Sequence, residues 1–442
     1  MPQAAPSKPN PLALVPFLIF AVFYVGFSLY AKHLGMDMPF YKVSMPVAFL
    51  VASAFALCLG RRRPLSEMVE SYATGMGETN IMIMCLIFIL AGAFATVAKG
   101  SGAVDAAVDL ARSLIPVKLM VAGVFFTSCL ISLAIGTSCG TIAAMTPIAL
   151  GFAGSLQLSP VLLMGATIGG AMFGDNLSMI SDTTIAATRT QGVEMREKFF
   201  ANFVIALPAA IVALVLYGIS GSAAGAVGTP EIAWRHWLLV APYLLVLVLA
   251  LLGLNVMLLL FAGTVFSAVI GCCLGRIDVM GVLDLIGRGA LGMSETLIVA
   301  LLAGGLFKTI SDNGGIMWLT DRISAFIRGP KTCEIGVFFL TAAVNLFTAN
   351  NTVAIVISGP IAKTCAERFG ARPVRIASVL DTASCIVQGL IPYGAQILIA
   401  VGVAKGLGMT VGTGSLVARL YYQPILALAF FIAMVFGRRR GG

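Results

Sequence analysis

Ten long apolar runs leave this chain few ways to fold. They cover roughly 11–30, 42–60, 79–98, 160–190, 199–218, 237–253, 255–275, 295–310, 373–403 and 415–437. Runs of about 20 residues match the hydrocarbon thickness of a bilayer when helical. In lipid every backbone N–H and C=O must be satisfied within the protein, because an exposed one costs several kcal/mol. Of the 442 residues 59% are hydrophobic and 11% charged, whereas soluble domains carry about 25% charged residues. The expected fold class is therefore an all-α polytopic membrane protein whose surroundings are a lipid bilayer. The net charge of +9 could suit nucleic acid, but the basic residues stand in short clusters between apolar runs. That is the pattern of membrane loops and argues against a nucleic-acid partner. The nine cysteines show no CxxC spacing and mostly lie inside apolar runs, where Cys behaves as a small hydrophobe. Neither disulfides nor a metal cluster nor a cofactor is expected. The first apolar segment is preceded by Lys8 alone and reads as a retained helix.

Two further stretches, about 118–158 and 333–362, are apolar but interrupted by small polar residues. Their interruptions are Thr137-Ser138-Cys139-Gly140-Thr141 and Thr348-Ala349-Asn350-Asn351-Thr352. Each is either a pair of spanning helices or a re-entrant hairpin with a polar tip. An internal duplication favours the hairpin. Gly75-Met76-Gly77-Glu78-Thr79 recurs as Gly292-Met293-Ser294-Glu295-Thr296, Val124-Phe125-Phe126 as Val337-Phe338-Phe339, and Pro160-Val161 as Pro373-Val374, in constant order and spacing. The expected organisation is a first repeat over 1–220, a linker loop over 221–236 and a second repeat over 237–442. Each repeat holds about five transmembrane helices, one re-entrant hairpin and a broken helix, at 160–190 and 373–403. An odd number of crossings makes the second repeat inverted relative to the first, a recurring transporter plan. With the N-terminus inside, most of the 28 Lys and Arg fall on the inner side, among them Arg61–Arg63, Arg189, Arg196, Lys198, Arg372, Arg375 and Arg438–Arg440. Both termini are then cytoplasmic.

The stretch 160–190 carries the densest chemistry. An apolar, glycine-studded helix reads as breaking at Gly174-Asp175-Asn176, stays polar through Ser178, Ser181 and Asp182-Thr183-Thr184, and then resumes. A carboxylate at membrane depth costs about 2.5–3.5 kcal/mol on insertion scales, so two Asp within eight residues suggest use. Asp175 and Asp182 are the candidate sodium ligands, with Asn176, Ser178 and Thr183 adding the neutral oxygens a hard cation needs. Asp182 before Thr-Thr also fits a plain helix N-cap. The hairpin tips add Thr137, Ser138 and Thr141, and Asn350, Asn351 and Thr352. Asp381 and Gln388, in the second broken helix, complete the candidate ion- or substrate-binding set.

These motifs also carry a resemblance. Gly174-Asp175-Asn176-Leu177-Ser178 with Ser181-Asp182-Thr183-Thr184 resembles the signature of the NhaC-type sodium/proton antiporters. Asn351-Thr352-Val353-Ala354, Ser358-Gly359-Pro360 and Gln388-Gly389-Leu390-Ile391-Pro392-Tyr393-Gly394-Ala395-Gln396 look like that family's second-half motifs. The likeness implies membership of the wider ion-transporter superfamily, with two inverted halves, paired re-entrant hairpins and a homodimeric assembly in a bacterial inner membrane. It implies a secondary antiporter and no enzyme, whose partners are the transported sodium and protons and whose first-half Asp pair carries both. Met179 and Asn176 depart from the family's usual Pro and basic residue, which leaves ion choice open. The alternative is a sodium- or proton-coupled transporter of small carboxylates such as malate or lactate, since relatives of that kind exist. No buried Arg is evident for a carboxylate clamp. An intramembrane aspartyl protease would need a Gly at position 172, where Met172 stands.

Overall fold

The computed structural model describes residues 8–34, 36, 43–59, 64–179, 181–221, 232–252 and 254–436. Most of the expected linker, and Arg61–Arg63 and Arg438–Arg440 of the charge count, lie outside the described residues. Among those described the chain is all helix, without a strand. The helices are α1 (Val15–His33), α2 (Met45–Leu59), α3 (Leu65–Met76), α4 (Thr79–Gly100), α5 (Ala103–Leu114), α6 (Met120–Ile135), α7 (Ser138–Leu156) and α8 (Pro160–Leu177). They continue with α9 (Asp182–Gln191), α10 (Met195–Gly221), α11 (Trp234–Leu251), α12 (Val256–Cys273), α13 (Val279–Gly292), α14 (Ser294–Asp312) and α15 (Gly315–Ser324). The last are α16 (Pro330–Thr348), α17 (Asn351–Phe369), α18 (Pro373–Leu390), α19 (Ala395–Gly406), α20 (Thr413–Val417) and α21 (Tyr422–Phe436). Among the described residues nine helical stretches have the length and apolarity to cross a membrane, from Pro11–Ala31 to Pro373–Gly406. This is a polytopic integral membrane protein.

The duplication reaches the level of helix ends. Adding 213 to the residue numbers carries Pro160–Leu177 onto Pro373–Leu390, so α8 and α18 have the same 18-residue length and start on a proline. Proline suits that position, where the missing N–H would be unbonded anyway. Both helices stop on an extended residue, Ser178 and Ile391. The two interrupted stretches are also alike. Each is a pair of helices joined by a left-handed residue and an extended one: Gly136 (φ 74°) and Thr137 between α6 and α7, Ala349 (φ 49°) and Asn350 between α16 and α17. A single left-handed residue reverses the chain after a helix at little cost when it is glycine, and Ala349 holds that conformation with a Cβ.

Two compact units are built from discontinuous segments. One comprises Met1–Cys85, Ala186–Ala201 and Leu297–Tyr393; the other comprises Leu86–Ile185, Asn202–Thr296 and Gly394–Gly442. Each therefore draws on both sequence halves. In the first, α16 and α17 pack on α18, and Phe20, Phe49 and Tyr393 form an aromatic cluster with ring centroids 4.1–5.5 Å apart. The hydroxyl of Tyr72 donates to the Leu302 carbonyl at 2.9 Å. In the second, α6 and α7 pack on α8, and α19 packs on α7. Gly170 and Gly174 let α8 lie directly against the backbone of α6, since a Cβ on either would meet main-chain atoms between Phe125 and Leu133. Such small-residue contacts are how helices approach closely where lipid gives no hydrophobic drive.

Candidate functional site

Asp175 is the centre of the candidate site in the second unit. The sequence places a helix end at Gly174; the structure continues α8 to Leu177, because the Ser178 N–H donates to the Gly174 carbonyl at 2.7 Å and closes one more turn. Asp175 and Asn176 thus sit in the last turn of α8, buried at 4% and 0% exposure. The Asp175 carboxylate accepts from the Ser138 hydroxyl at 2.7 Å and from the Ser181 hydroxyl at 2.5 Å. Ser138 opens α7 and Ser181 immediately precedes α9, so the carboxylate is met by side chains from the starts of two helices. Helix starts carry partial positive charge, which favours an anion there.

Around this core, the Thr183 and Ser181 hydroxyls lie 2.8 Å apart, and Gln396 donates from its Nε2 to the Ser138 hydroxyl at 3.0 Å. Gln396 is the second residue of α19, so a third helix start joins the same hydrogen-bonded chain. Asn202 of α10 donates to the backbone carbonyl and side-chain oxygen of Asn176 at 3.3 and 3.1 Å. The hydroxyl of Ser132 reaches the Ala171 carbonyl at 2.5 Å and ties α6 to α8 one turn before Asp175. Among the described residues no three His, Cys, Asp or Glu side chains gather as a metal cluster would. A cation here would draw on one carboxylate, hydroxyls and backbone oxygens, the set suited to a hard monovalent ion.

The other expected residues are placed as follows. Ser178 and Thr183 are buried beside the break, and Thr141 is buried in the first turn of α7, its hydroxyl turned back to the Thr137 carbonyl at 3.0 Å. Thr137 is half-buried. Asp182 is exposed as the first residue of α9, while its neighbours Ser181 and Thr183 are the buried ones. In the first unit Asn350 is the N-cap of α17, its side-chain oxygen accepting from the Val353 N–H at 3.0 Å. Asn351 is buried, and its side-chain oxygen accepts from the Thr352 N–H; Thr352 is half-buried. Gln388 donates to the Ala349 carbonyl at the hairpin tip, at 2.8 Å. Asp381 is fully buried and ion-paired with Lys198.

Sequence reasoning gave Gln396 a place in a motif and Lys198 a place in the charge count but neither a role in a site, and it passed over Asn202. Lys198 reads as an inner-side loop cation because it follows Arg189 and Arg196, yet it lies in the first turn of α10 with no exposed surface. Burial there is visible only once Asp381, far away in sequence, is brought to it.

The chain matches the Na+/H+ antiporter family over residues 13–221 and 230–437. It belongs to that family. The antiporter is 25% identical to the Na+/H+ antiporter NhaC of Bacillus subtilis, over 87% of its own length and 89% of that protein. With NhaC of Alkalihalophilus pseudofirmus it shares 22% identity over 89% of each chain. With the malate-2H+/Na+-lactate antiporter of Bacillus subtilis it shares 20% identity over 90% of each. The resemblance to NhaC-type proteins seen in the sequence motifs thus extends over most of the chain. Among solved structures the antiporter is similar to MtrF of Neisseria gonorrhoeae, with a TM-score of 0.44 and 14% identity over 97% of this chain and 96% of that one. The YdaH transporter of Alcanivorax borkumensis gives a TM-score of 0.42 and 17% identity, over 85% and 89%.

Proposed function

We propose that the antiporter exchanges sodium for protons across a bacterial inner membrane, with the Asp175 carboxylate carrying the two ions in turn. One observation supports the reading above others: a buried carboxylate in the last turn of α8 is surrounded by hydroxyls from the starts of α7 and α9. A hydroxyl both donates and accepts. With Asp175 ionised and empty, Ser138 and Ser181 donate to it. With sodium bound, the same oxygens can turn lone pairs to the ion while the carboxylate supplies the negative charge. With Asp175 protonated, the carboxyl O–H has acceptors at hand. Protons and sodium compete for one group, and that competition is the coupling. Asp182, expected from the sequence as a second sodium ligand, is exposed at the start of α9 and takes no part in holding the ion in this reading.

The test is Asp175→Asn in proteoliposomes. The isosteric amide keeps the shape and loses the charge, so sodium-driven proton movement falls to the protein-free background while the folded protein is recovered in normal yield. Exchange retained at even a tenth of the wild-type rate refutes the assignment of Asp175.

The second reading, coupled transport of a small carboxylate, has its own support. The hydrogen-bonded chain Gln396–Ser138–Asp175–Ser181 runs past the starts of α19, α7 and α9, and helix starts bind anions. One relative exchanges malate with protons for lactate with sodium. A sodium-dependent proton flux that requires malate or lactate on one side selects this reading; a flux with sodium alone selects the first.

A further inference from the structure

We infer that the buried Lys198–Asp381 pair is a proton relay of the exchange cycle, separate from the sodium site. It deepens the sodium/proton reading by adding the residues through which the proton passes.

Both side chains are without exposed surface, and they are ion-paired. Neither stability nor helix electrostatics accounts for them. A buried ion pair is commonly no more stabilising than apolar residues of the same volume, and the duplicated helix shows what packing alone needs. Subtracting 213 from Asp381 gives Ile168 in α8, an equally buried position filled by an apolar residue. Lys198 lies in the first turn of α10, the end at which the helix dipole disfavours a cation. A lysine placed against both burial and the dipole is held there by Asp381.

The pair is also the middle of a polar stripe. Ser378, Asp381, Cys385 and Gln388 recur at spacings of three, four and three along α18 and so share one helix face. All four are at most 1% exposed. The Cys385 sulfur is 3.8 Å from the Asp381 carboxylate, Gln388 ends the stripe on the Ala349 carbonyl of the hairpin tip, and the buried Ser378 hydroxyl makes no protein hydrogen bond. The corresponding positions of α8 are Gly165, Ile168, Met172 and Asp175. At three of these four positions α8 carries Gly or an apolar residue, so the repeat does not require the Ser378–Asp381–Cys385 part of the stripe. Of the charged groups on the helices packed against α18, Glu334 of α16 is taken by Arg375 at the other end of that helix.

Lysine and aspartate in direct contact can pass a proton between them without changing their summed charge. The ammonium N–H bond breaks as an O–H bond forms on Asp381, giving a neutral amine beside a neutral carboxyl. The amine then takes up a proton and the carboxyl releases one, which restores the ion pair after one proton has been handed on, with Asp175 still the group at which proton and sodium compete. The lysine is essential to this step because it can release its proton; an arginine in its place keeps the positive charge and cannot.

That difference sets the experiment. Lys198→Arg is reconstituted into proteoliposomes, and two fluxes are compared: sodium-driven proton movement, and exchange of labelled for unlabelled sodium with no proton gradient. Sodium-for-sodium exchange needs the sodium site but no proton transfer. The expected result is a loss of ten-fold or more in sodium–proton exchange, with sodium–sodium exchange within about two-fold of wild type. Sodium–proton exchange at the wild-type rate overturns the relay, and so does an equal loss of both fluxes in folded protein, which would make the pair part of the ion path. Should the larger guanidinium prevent folding, Lys198→Gln replaces it under the same criteria. Asp175→Asn is expected to remove both fluxes, so failure of the relay and failure of the Asp175 reading give different results.

Discussion

Asp175 and Asp381 are both buried acids in an apolar protein, and their partners differ in kind. Asp381 is met by an ammonium, Asp175 by hydroxyls from Ser138 and Ser181. An ammonium has only donors to offer, whereas a hydroxyl can reverse and present a lone pair. The hydroxyls beside Asp175 can therefore rearrange around a cation by turning in place. Ser138→Ala removes one of the oxygens proposed to turn to the bound ion, a loss on the order of 1 kcal/mol in ion binding, the net size of a single polar contact. With about 1.4 kcal/mol per tenfold change, sodium affinity read by calorimetry on the solubilised protein should fall at least several-fold. An unchanged affinity would exclude Ser138 from the site. Asp175 was legible in the sequence because a carboxylate inside an apolar run calls for a use. Its partner Ser138 was legible only as one polar residue of an interruption, and the pairing itself joins residues 37 apart. Lys198 was hidden by its basic neighbours.

The site depends on elements that stop and restart in the right places. Ser138 reaches Asp175 because the chain turns at Gly136–Thr137 and starts α7 there, and because α8 lies against α6 through Gly170 and Gly174. The second half repeats the construction with different chemistry. Ser132 bonds the Ala171 carbonyl, and Asn345, 213 residues on, bonds the Ser384 carbonyl, also 213 on, at 2.9 Å. The Asp175 position is then filled by Gln388, which also contacts its hairpin tip. A duplicated frame thus holds an acid in one copy and a neutral amide in the other. Gly174→Ala tests the frame next to the acid. The added methyl would meet Ser132 and the backbone of Cys129 and Leu133, where no flexible side-chain end can yield to it alone. Overpacking of this kind costs about 1–3 kcal/mol, so thermal unfolding in detergent should occur several degrees lower and sodium affinity should drop with it. Normal unfolding and normal affinity would mean that the close contact of α6 and α8 does not set the Asp175 geometry. The breaks themselves were readable from Gly, Asn and Pro. The extra turn to Leu177 was not, since it rests on one backbone bond that the residue types leave open.

At the scale of the whole chain, the short matches that suggest a duplication run in register with the ends of α8 and α18. What the matches did not reveal is how the segments are shared out. The expected repeats divide near 221–236, but each compact unit takes residues from both: one needs 1–85 and 186–201 with 297–393, the other needs 86–185 and 202–296 with 394–442. The reason is physical. An apolar helix packs where a complementary buried face exists, whatever its place in the chain, and Asp381 needs Lys198 from the other half in order to be buried at all. Residues 1–220 and 237–442 made separately should therefore each lack the partners of their own buried polar groups and should aggregate on detergent extraction. Produced together in one membrane, they should assemble, because the cut takes from the described helices only Gly221 at the end of α10 and Trp234–His236 at the start of α11. The check is size-exclusion chromatography of each half alone and of the co-produced pair, followed by sodium-driven proton flux for the pair. A half that extracts alone as a monodisperse, cooperatively unfolding species would show that its compact core is made within one repeat.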